Sequence, residues 1–145
     1  MRIVVRGRPA PQGSKRHVGN GRMIEMSKAV GPWREAVRAE TQRTRQEEHA
    51  RPRVGPVSVR IVFYADRPKG HYRTGRNAHL LRDGAPRYPH GRPDLDKLAR
   101  AVLDGMTEGG AWKDDGQVVA LIAYKLYTIG GGEPGCVIDL EEPPI

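Results

Sequence analysis

The sequence predicts an α/β fold: one small domain in which a mixed β-sheet packs against two main helices. Residues 57–65 alternate apolar and polar side chains, as a strand with one buried face does. Residues 96–108 repeat apolar side chains at helical spacing and are followed by two glycines. Strand and helix patterns that follow one another in this way are typical of α/β folds. A length of 145 residues fits one domain, so residues 1–145 are predicted to share one core.

The N-terminal part predicts a strand and then a basic loop. Residues 2–8 alternate weakly and are predicted to form the strand. Residues 9–23 contain several glycines and are predicted to form a loop or hairpin. Its exposed basic residues, Lys15, Arg16 and Arg22, suit contacts with phosphate groups, although a plain solvated surface explains them equally well.

A helix is predicted from about Val30 to about His49. Trp33 and Val37 lie on a thin apolar edge, whereas the last turns are polar all round. That polar end is expected to project into solvent or to pack on another subunit.

Two strands are predicted near the C-terminus. Residues 117–127 are apolar on both faces, so this strand is expected in the middle of the sheet. Residues 137–140 form a short last strand, and the single cysteine, Cys136, is predicted to be a small core residue. The chain has neither an apolar run long enough to cross a membrane nor a signal segment, which predicts a cytoplasmic protein without membrane contact.

Acidic residues cluster against a basic background. The formal net charge of +8 favours an anionic partner such as nucleic acid. Residues 92–119, RPDLDKLARAVLDGMTEGGAWKDDGQVV, nevertheless contain two carboxylate pairs, Asp94 with Asp96 and Asp114 with Asp115. Grouped carboxylates in a protein that binds nucleic acid are typical of nucleases, because they hold the metal ions that activate water and neutralise the phosphate.

The first pair is predicted where an extended segment enters a helix. Pro93 disfavours helical geometry before it, and Asp94 or Asp96 suits the N-cap position. In an extended segment these two side chains point to the same side, and the positive end of the helix dipole favours their charge. Arg100 lies one turn beyond Asp96, within reach of a phosphate held there.

The second pair is expected to return to the first. Gly109 and Gly110 end the predicted helix and let the chain turn back, so that Asp114 and Asp115 could approach the first pair.

Each of these acids also has a plain structural explanation. Asp94 and Asp96 would serve as a helix cap and a surface acid, and Asp114 suits a turn better than a metal site. Asp104 is expected to form an ion pair with Arg100 at i,i+4 spacing. Both pairs together, in a basic chain, favour the metal site.

Residues 67–92 form a long basic stretch without helix or strand periodicity. This stretch contains seven lysine and arginine residues but a single acid, Asp83, and tyrosines lie between the basic residues. This composition suits a flexible arm that settles onto a phosphate backbone, with disorder alone as the alternative. The DNA-binding candidates in this stretch are Arg73, Arg76 and Arg82.

These motifs resemble the RusA family of Holliday junction resolvases, which are endonucleases encoded by phages and prophages. The resemblance is carried by PDLDKLARAVLD, by WKDDGQVV and by the N-terminal GRPAPQGSKRHVGNGRM with Pro32-Trp33-Arg34 after it. It implies a RusA-like fold, branched DNA as partner, and the cytoplasm of a bacterial or phage-infected cell. It also implies a homodimer, whose two sites match the two-fold symmetry of a four-way junction.

The family's three essential carboxylates map onto Asp94, Asp96 and Asp115, and its essential lysine maps onto Arg100. Arginine keeps the cation but cannot donate a proton near neutral pH, so Arg100 suits phosphate clamping. Lys97 also departs from the family, in which asparagine is frequent; it would supply a point charge to DNA or be solvated. Oxygen ligands favour Mg²⁺, with Mn²⁺ as a substitute.

The expected function is a Mg²⁺-dependent endonuclease that resolves Holliday junctions by paired symmetric nicks. Two alternatives stay open: a non-catalytic nucleic-acid-binding protein, and a nuclease that acts on flaps or forks.

Overall fold

The computed structural model describes residues 1–13, 15–17, 23–25 and 28–145, with the backbone alone described for 15–17 and 23–25. The elements follow in the order β1 (Arg2–Arg6), β2 (Lys15–His17), β3 (Met23–Glu25), α1 (Val30–Glu47), β4 (Val57–Ala65), α2 (Leu95–Glu108), β5 (Val118–Tyr127) and β6 (Gly135–Glu141). The predicted α/β class, with a mixed sheet and two main helices, is confirmed. Across the described ranges, every helix is too short or too polar to cross a membrane.

Four strands form the main sheet in the order β1-β6-β4-β5. β6 runs antiparallel to both β1 and β4, whereas β4 and β5 are parallel. β4 has the predicted bounds, and its alternate residues Val59, Ile61 and Phe63 are buried in the core that the helices share. A parallel neighbour needs a long crossover, which here contains the basic stretch and α2.

The expectation that residues 117–127 form a central strand is wrong. β5 lies at the edge, and β6 lies between β1 and β4 with Ile138 and Leu140 buried. Apolar residues on both faces of a strand indicate that both faces avoid water. They do not indicate that both edges are paired.

The sequence suggested that the C-terminal end of α1 is polar and exposed all round, and the structure shows that one side of it is buried. Thr41 and Thr44 continue the buried stripe of Trp33 and Val37. The Thr41 hydroxyl donates to the Val37 carbonyl at 2.7 Å, which satisfies it inside the core.

Gly105 of α2 and Gly109 at the C-cap of this helix explain the burial of Val37 and Thr41. A Cβ atom at Gly105 would lie 2.8 Å from Val37 Cβ, and one at Gly109 would lie 2.7 Å from Thr41 Cβ. The two helices therefore approach more closely than larger residues would permit. The burial of Val37 and Thr41 on α1 thus depends on residues 68 positions further along the chain.

The N-terminal loop contains the predicted hairpin, since β2 and β3 pair antiparallel. Lys15 and Arg16 lie in β2, and Arg22 lies outside the described residues.

Candidate metal centre and DNA-binding cleft

The first acidic pair lies at the start of α2, as predicted. Asp94 is the N-cap residue with an extended backbone, φ −68° and ψ 139°, and Asp96 lies in the first helical turn. Both side chains are exposed, and the Asp94 carboxylate makes no capping hydrogen bond. The helix therefore does not use this carboxylate, which leaves its oxygens available to a metal ion.

Lys125 of β5 holds the segment that carries Asp94. Its Nζ donates to the carbonyl of Gly91 at 2.7 Å and to that of Pro93 at 2.8 Å. Hydrogen bonds from a charged donor are stronger than neutral ones, so they restrain the backbone that enters α2. Sequence reasoning missed Lys125, which lies in a strand 32 residues after Pro93 and has no local motif.

A cleft of about 640 Å³ opens beside Asp94. The start of α2 forms one wall, and residues 8–13 form the other. The Gln12 amide donates to the Lys97 carbonyl at 2.9 Å, which joins the two walls. Arg8, Arg92 and Lys97 line this cleft together with Asp94.

The cleft thus combines a carboxylate with three cations, a composition that suits a metal ion and a phosphate backbone together. Lys97 was a predicted DNA contact, and its position is consistent with that role. Arg8 was not singled out from the sequence, although it lies in the GRPAPQGS segment, whose glycines and prolines are typical of a loop.

Arg100 is exposed on α2, four residues beyond Asp96 and hence on the same side of the helix. The expected ion pair between Arg100 and Asp104 stays a prediction.

The second acidic pair forms a turn before β5. Asp114 accepts a hydrogen bond from the Gly116 amide at 2.8 Å, and its own amide donates to Gln117 Oε1 at 3.2 Å. Gln117 Nε2 in turn donates to the carbonyls of Arg53 and Gly55, both at 2.9 Å. The interpretation of Asp114 as a turn residue is confirmed, and its rigid turn holds the half-buried Asp115.

Asp94 and Asp115 lie at opposite ends of α2. Fourteen helical residues separate the two ends, a length of about 21 Å. The length of β5 supports a similar separation. This strand starts three residues after Asp115, and its Lys125, about 23 Å further along, contacts the Pro93 carbonyl beside Asp94.

Within one chain, the turn at Gly109 and Gly110 therefore does not bring Asp115 to the first acidic pair, contrary to expectation. The chain turns into β5, which runs back along α2, so Asp115 stays at the helix C-terminal end. The part of the chain that the structure describes contains no group of three or more acidic, histidine or cysteine side chains that could hold a metal.

Residues 67–92 fold back on themselves instead of forming the expected flexible arm. Arg67 donates to the Pro86 carbonyl at 2.7 Å, Arg82 to the Tyr72 carbonyl at 2.8 Å, and Arg73 to the Leu81 carbonyl at 3.1 Å. Two predicted DNA contacts, Arg73 and Arg82, thus also hold this stretch together. The third, Arg76, is exposed in a short 3₁₀ turn.

Cys136 is buried in β6, as predicted. Burial raises the pKa of its thiol, because the thiolate would lose its hydration. The protonated thiol is neither a nucleophile nor a metal ligand at neutral pH.

Comparison with known proteins agrees with the family resemblance of the sequence. The family model described as endodeoxyribonuclease RusA matches residues 6–141. Proteins named crossover junction endodeoxyribonuclease RusA, from Escherichia coli strain K12, Escherichia coli O1:K1 and Shigella sonnei strain Ss046, are each 44% identical over 41 residues, covering 28% of this chain. The chain spans about a third of the length of these curated relatives, 34%. Because the family model covers most of the chain, including both acidic pairs and the cleft, the chain belongs to the RusA endodeoxyribonuclease family.

Proposed function

We propose that the protein is a metal-dependent endonuclease that resolves four-way DNA junctions by paired symmetric nicks during recombination and repair. The observation that carries this proposal is the cleft at the start of α2. There a carboxylate that the helix does not use lies among cations that suit phosphates. Membership of the RusA family supports the junction as substrate.

Asp94, Asp96 and Asp115 would hold Mg²⁺, with Mn²⁺ as a substitute. Exposed carboxylates are oxygen donors of the kind that these ions prefer. A bound ion supplies a hydroxide nucleophile and neutralises charge on the scissile phosphate.

The cationic side chains bind and orient the DNA. Arg100 clamps the scissile phosphate with a guanidinium that stays charged at any physiological pH. Lys97, Arg8 and Arg92 attract the flanking backbone, which carries no base identity. Lys15, Arg16 and Arg22 of the hairpin segment extend this attraction along a DNA arm.

A homodimer is part of the proposal. Because Asp115 lies about 20 Å from Asp94 in one chain, on the helix and strand lengths above, it can join Asp94 and Asp96 only in another chain. A two-fold dimer then forms two equivalent sites, which match the two strands that a symmetric resolution must cut.

The decisive experiment compares synthetic DNA substrates in the presence of Mg²⁺. A labelled four-way junction should be nicked at two symmetric positions, whereas linear duplex of the same sequence should stay intact, and EDTA should stop the reaction. Equal cleavage of flaps or forks would indicate a broader nuclease. If no substrate is nicked but the junction is bound, the protein is a non-catalytic binding protein and the proposal is wrong.

A further inference from the structure

Residues 71–82 of the basic stretch form a closed loop whose two ends are joined. Tyr72 and Leu81 pair as an antiparallel bridge, and the Arg73 amide donates to the Leu80 carbonyl at 2.8 Å. Two of the guanidinium hydrogen bonds described above cross the same bridge. Because its ends are held by backbone and side-chain bonds, this closed loop presents its side chains at fixed positions.

The closed loop is anchored beside the cleft at the start of α2. The His71 ring meets the Tyr127 ring edge-on, with the ring centroids 5.6 Å apart, and the Arg67 guanidinium lies 4.3 Å from the same Tyr127 centroid. Tyr127 follows Lys125 by two residues, about 7 Å along β5 and on the same face of the strand. Since Lys125 holds the Pro93 carbonyl, the bridged end of the closed loop is attached next to the segment that enters the cleft.

Two adjacent leucines expose apolar surface at this bridged end. Leu80 is 42% exposed and Leu81 is 39% exposed. Of the residues that the structure describes, those packed in or against the hydrophobic core include neither leucine. Single exposed apolar residues are normal, whereas an adjacent pair on a fixed loop forms a small apolar patch that suits a partner.

The charges around this patch indicate the chemistry of the partner. Arg82 follows Leu81 directly, and Arg76 is exposed in the same closed loop. The one acid of the stretch, Asp83, is ion-paired with Arg73, whose Nη2 lies 3.4 Å from Asp83 Oδ1. This charge favours a polyanion. Apolar side chains contact the bases of DNA where the base stack opens, because stacked bases cover their own faces.

We propose that Leu80 and Leu81 form an apolar wedge that contacts unstacked bases at the branch point of DNA bound in the cleft. This inference rests on the proposed function, because it names the feature of the substrate that the closed loop recognises. The arginines attract any DNA through its phosphates, which junction and duplex share. The leucines gain contacts only where base faces are accessible, so they distinguish branched from linear DNA.

Binding to a four-way junction with a fluorescent adenine analogue at the branch point tests the wedge, with EDTA present so that the DNA stays intact. Wild type should raise the emission of the analogue, which increases when the base leaves the stack. The double variant Leu80→Ser, Leu81→Ser should lose this rise. It should bind the junction about 10-fold more weakly, since two leucines no longer leave water on binding. Its affinity for linear duplex should equal that of wild type.

Two controls separate apolar contact from the shape of the loop. The double variant Leu80→Met, Leu81→Met keeps apolar side chains and should bind the junction as wild type does. Ile129→Ser changes an 88% exposed apolar residue outside the closed loop and should leave both affinities unaltered. Equal weakening on junction and duplex in the serine double variant would overturn the proposal, because the leucines would then not recognise the branch.

The wedge and the proposed function fail in different ways. If the emission rises with wild type and not with the serine double variant, but Mg²⁺ produces no nicking, the wedge is supported and the proposed function is wrong. If the serine double variant gives the full emission rise and nicks the junction at the wild-type rate, the proposed function is supported and the wedge is wrong.

Discussion

The two ends of α2 are built differently. At the N-terminal end, Asp94 and Asp96 are exposed and the Asp94 carboxylate makes no hydrogen bond to the helix. At the C-terminal end, the Arg45 guanidinium donates to the Gly109 carbonyl at 3.1 Å, and Asp114 is bound within its own turn. One end is open to ligands, whereas the other is a rigid support that holds a single half-buried acid, Asp115.

The difference indicates that the two ends of α2 have different roles in the proposed site. The open end presents carboxylates and cations to a metal ion and DNA, and the rigid end holds a third carboxylate at a fixed position. Because one helix length separates them, the proposed site needs both ends but cannot obtain them from the same chain.

The largest effect is expected at the open end. Asp94→Asn or Asp96→Asn should reduce nicking of the junction to background, because each change removes a metal ligand. Junction affinity should stay equal or rise, since a charge that repels phosphate is also lost. Gel-shift and cleavage assays on the same preparations measure both. Persistent cleavage in both variants would show that the open end is not the metal site.

Heterodimers of two inactive variants test whether opposite ends of α2 from different chains form one site. Asp94→Asn and Asp115→Asn should each be inactive alone. A heterodimer that combines them, isolated through two different tags, should regain about half of wild-type nicking, because one of its two sites then has all native carboxylates. It should nick the junction without resolving it. An inactive heterodimer would mean that each site lies within one chain.

Substitutions of Arg100 test whether the N-terminal end of α2 also binds the scissile phosphate. Arg100→Ala should reduce the nicking rate by about 10²-fold, the range for loss of one donor to a developing charge, whereas Arg100→Lys should keep substantial activity. Arg43→Ala is a suitable control, because Arg43 pairs with Glu40 and Glu47 on the surface of α1. Normal rates in Arg100→Ala would leave Arg100 as an ordinary surface residue.

Lys125 should act on the open end through the backbone. Lys125→Met keeps the aliphatic chain but removes the donors to Gly91 and Pro93, so the segment before Asp94 loses its restraint. By analogy with outer partners of metal ligands, the Mg²⁺ concentration for half-maximal nicking should rise about 10-fold or more. Lys69→Met, at an exposed position far in the sequence from all three acids, should leave it unchanged. An unaltered Mg²⁺ dependence in Lys125→Met would contradict a positioning role.

The smallest effect is expected in the basic stretch, away from both ends. Arg76→Ala should weaken binding to junction and duplex alike and should reduce the slope of log affinity against log salt by about 0.9. Arg76 is preferred to Arg73 and Arg82, because changes at those two would also loosen the stretch. An unchanged slope would show that Arg76 is only solvated.

Several features of the molecule follow from the sequence alone. β4 and α2 have the predicted bounds to within a residue, because periodicity and the flanking proline or glycine act over a few neighbouring positions. Asp94 lies at the helix start for the same reason, since Pro93 keeps the preceding backbone extended. The family motifs were readable because their residues are close together in the chain.

Other features depended on tertiary structure. Burial of Val37 and Thr41 required glycines in α2 and at its C-cap, and the edge position of β5 required the pairing of β6 with both β1 and β4. Apolar residues on both faces of β5 are compatible with a central strand and with a strand at a subunit interface, so pattern alone could not distinguish them. The distance from Asp94 to Asp115 depended on the direction in which β5 leaves the turn. Local patterns report which backbone geometry a segment prefers and which faces avoid water, whereas contacts between residues far apart in the chain decide which segments become neighbours.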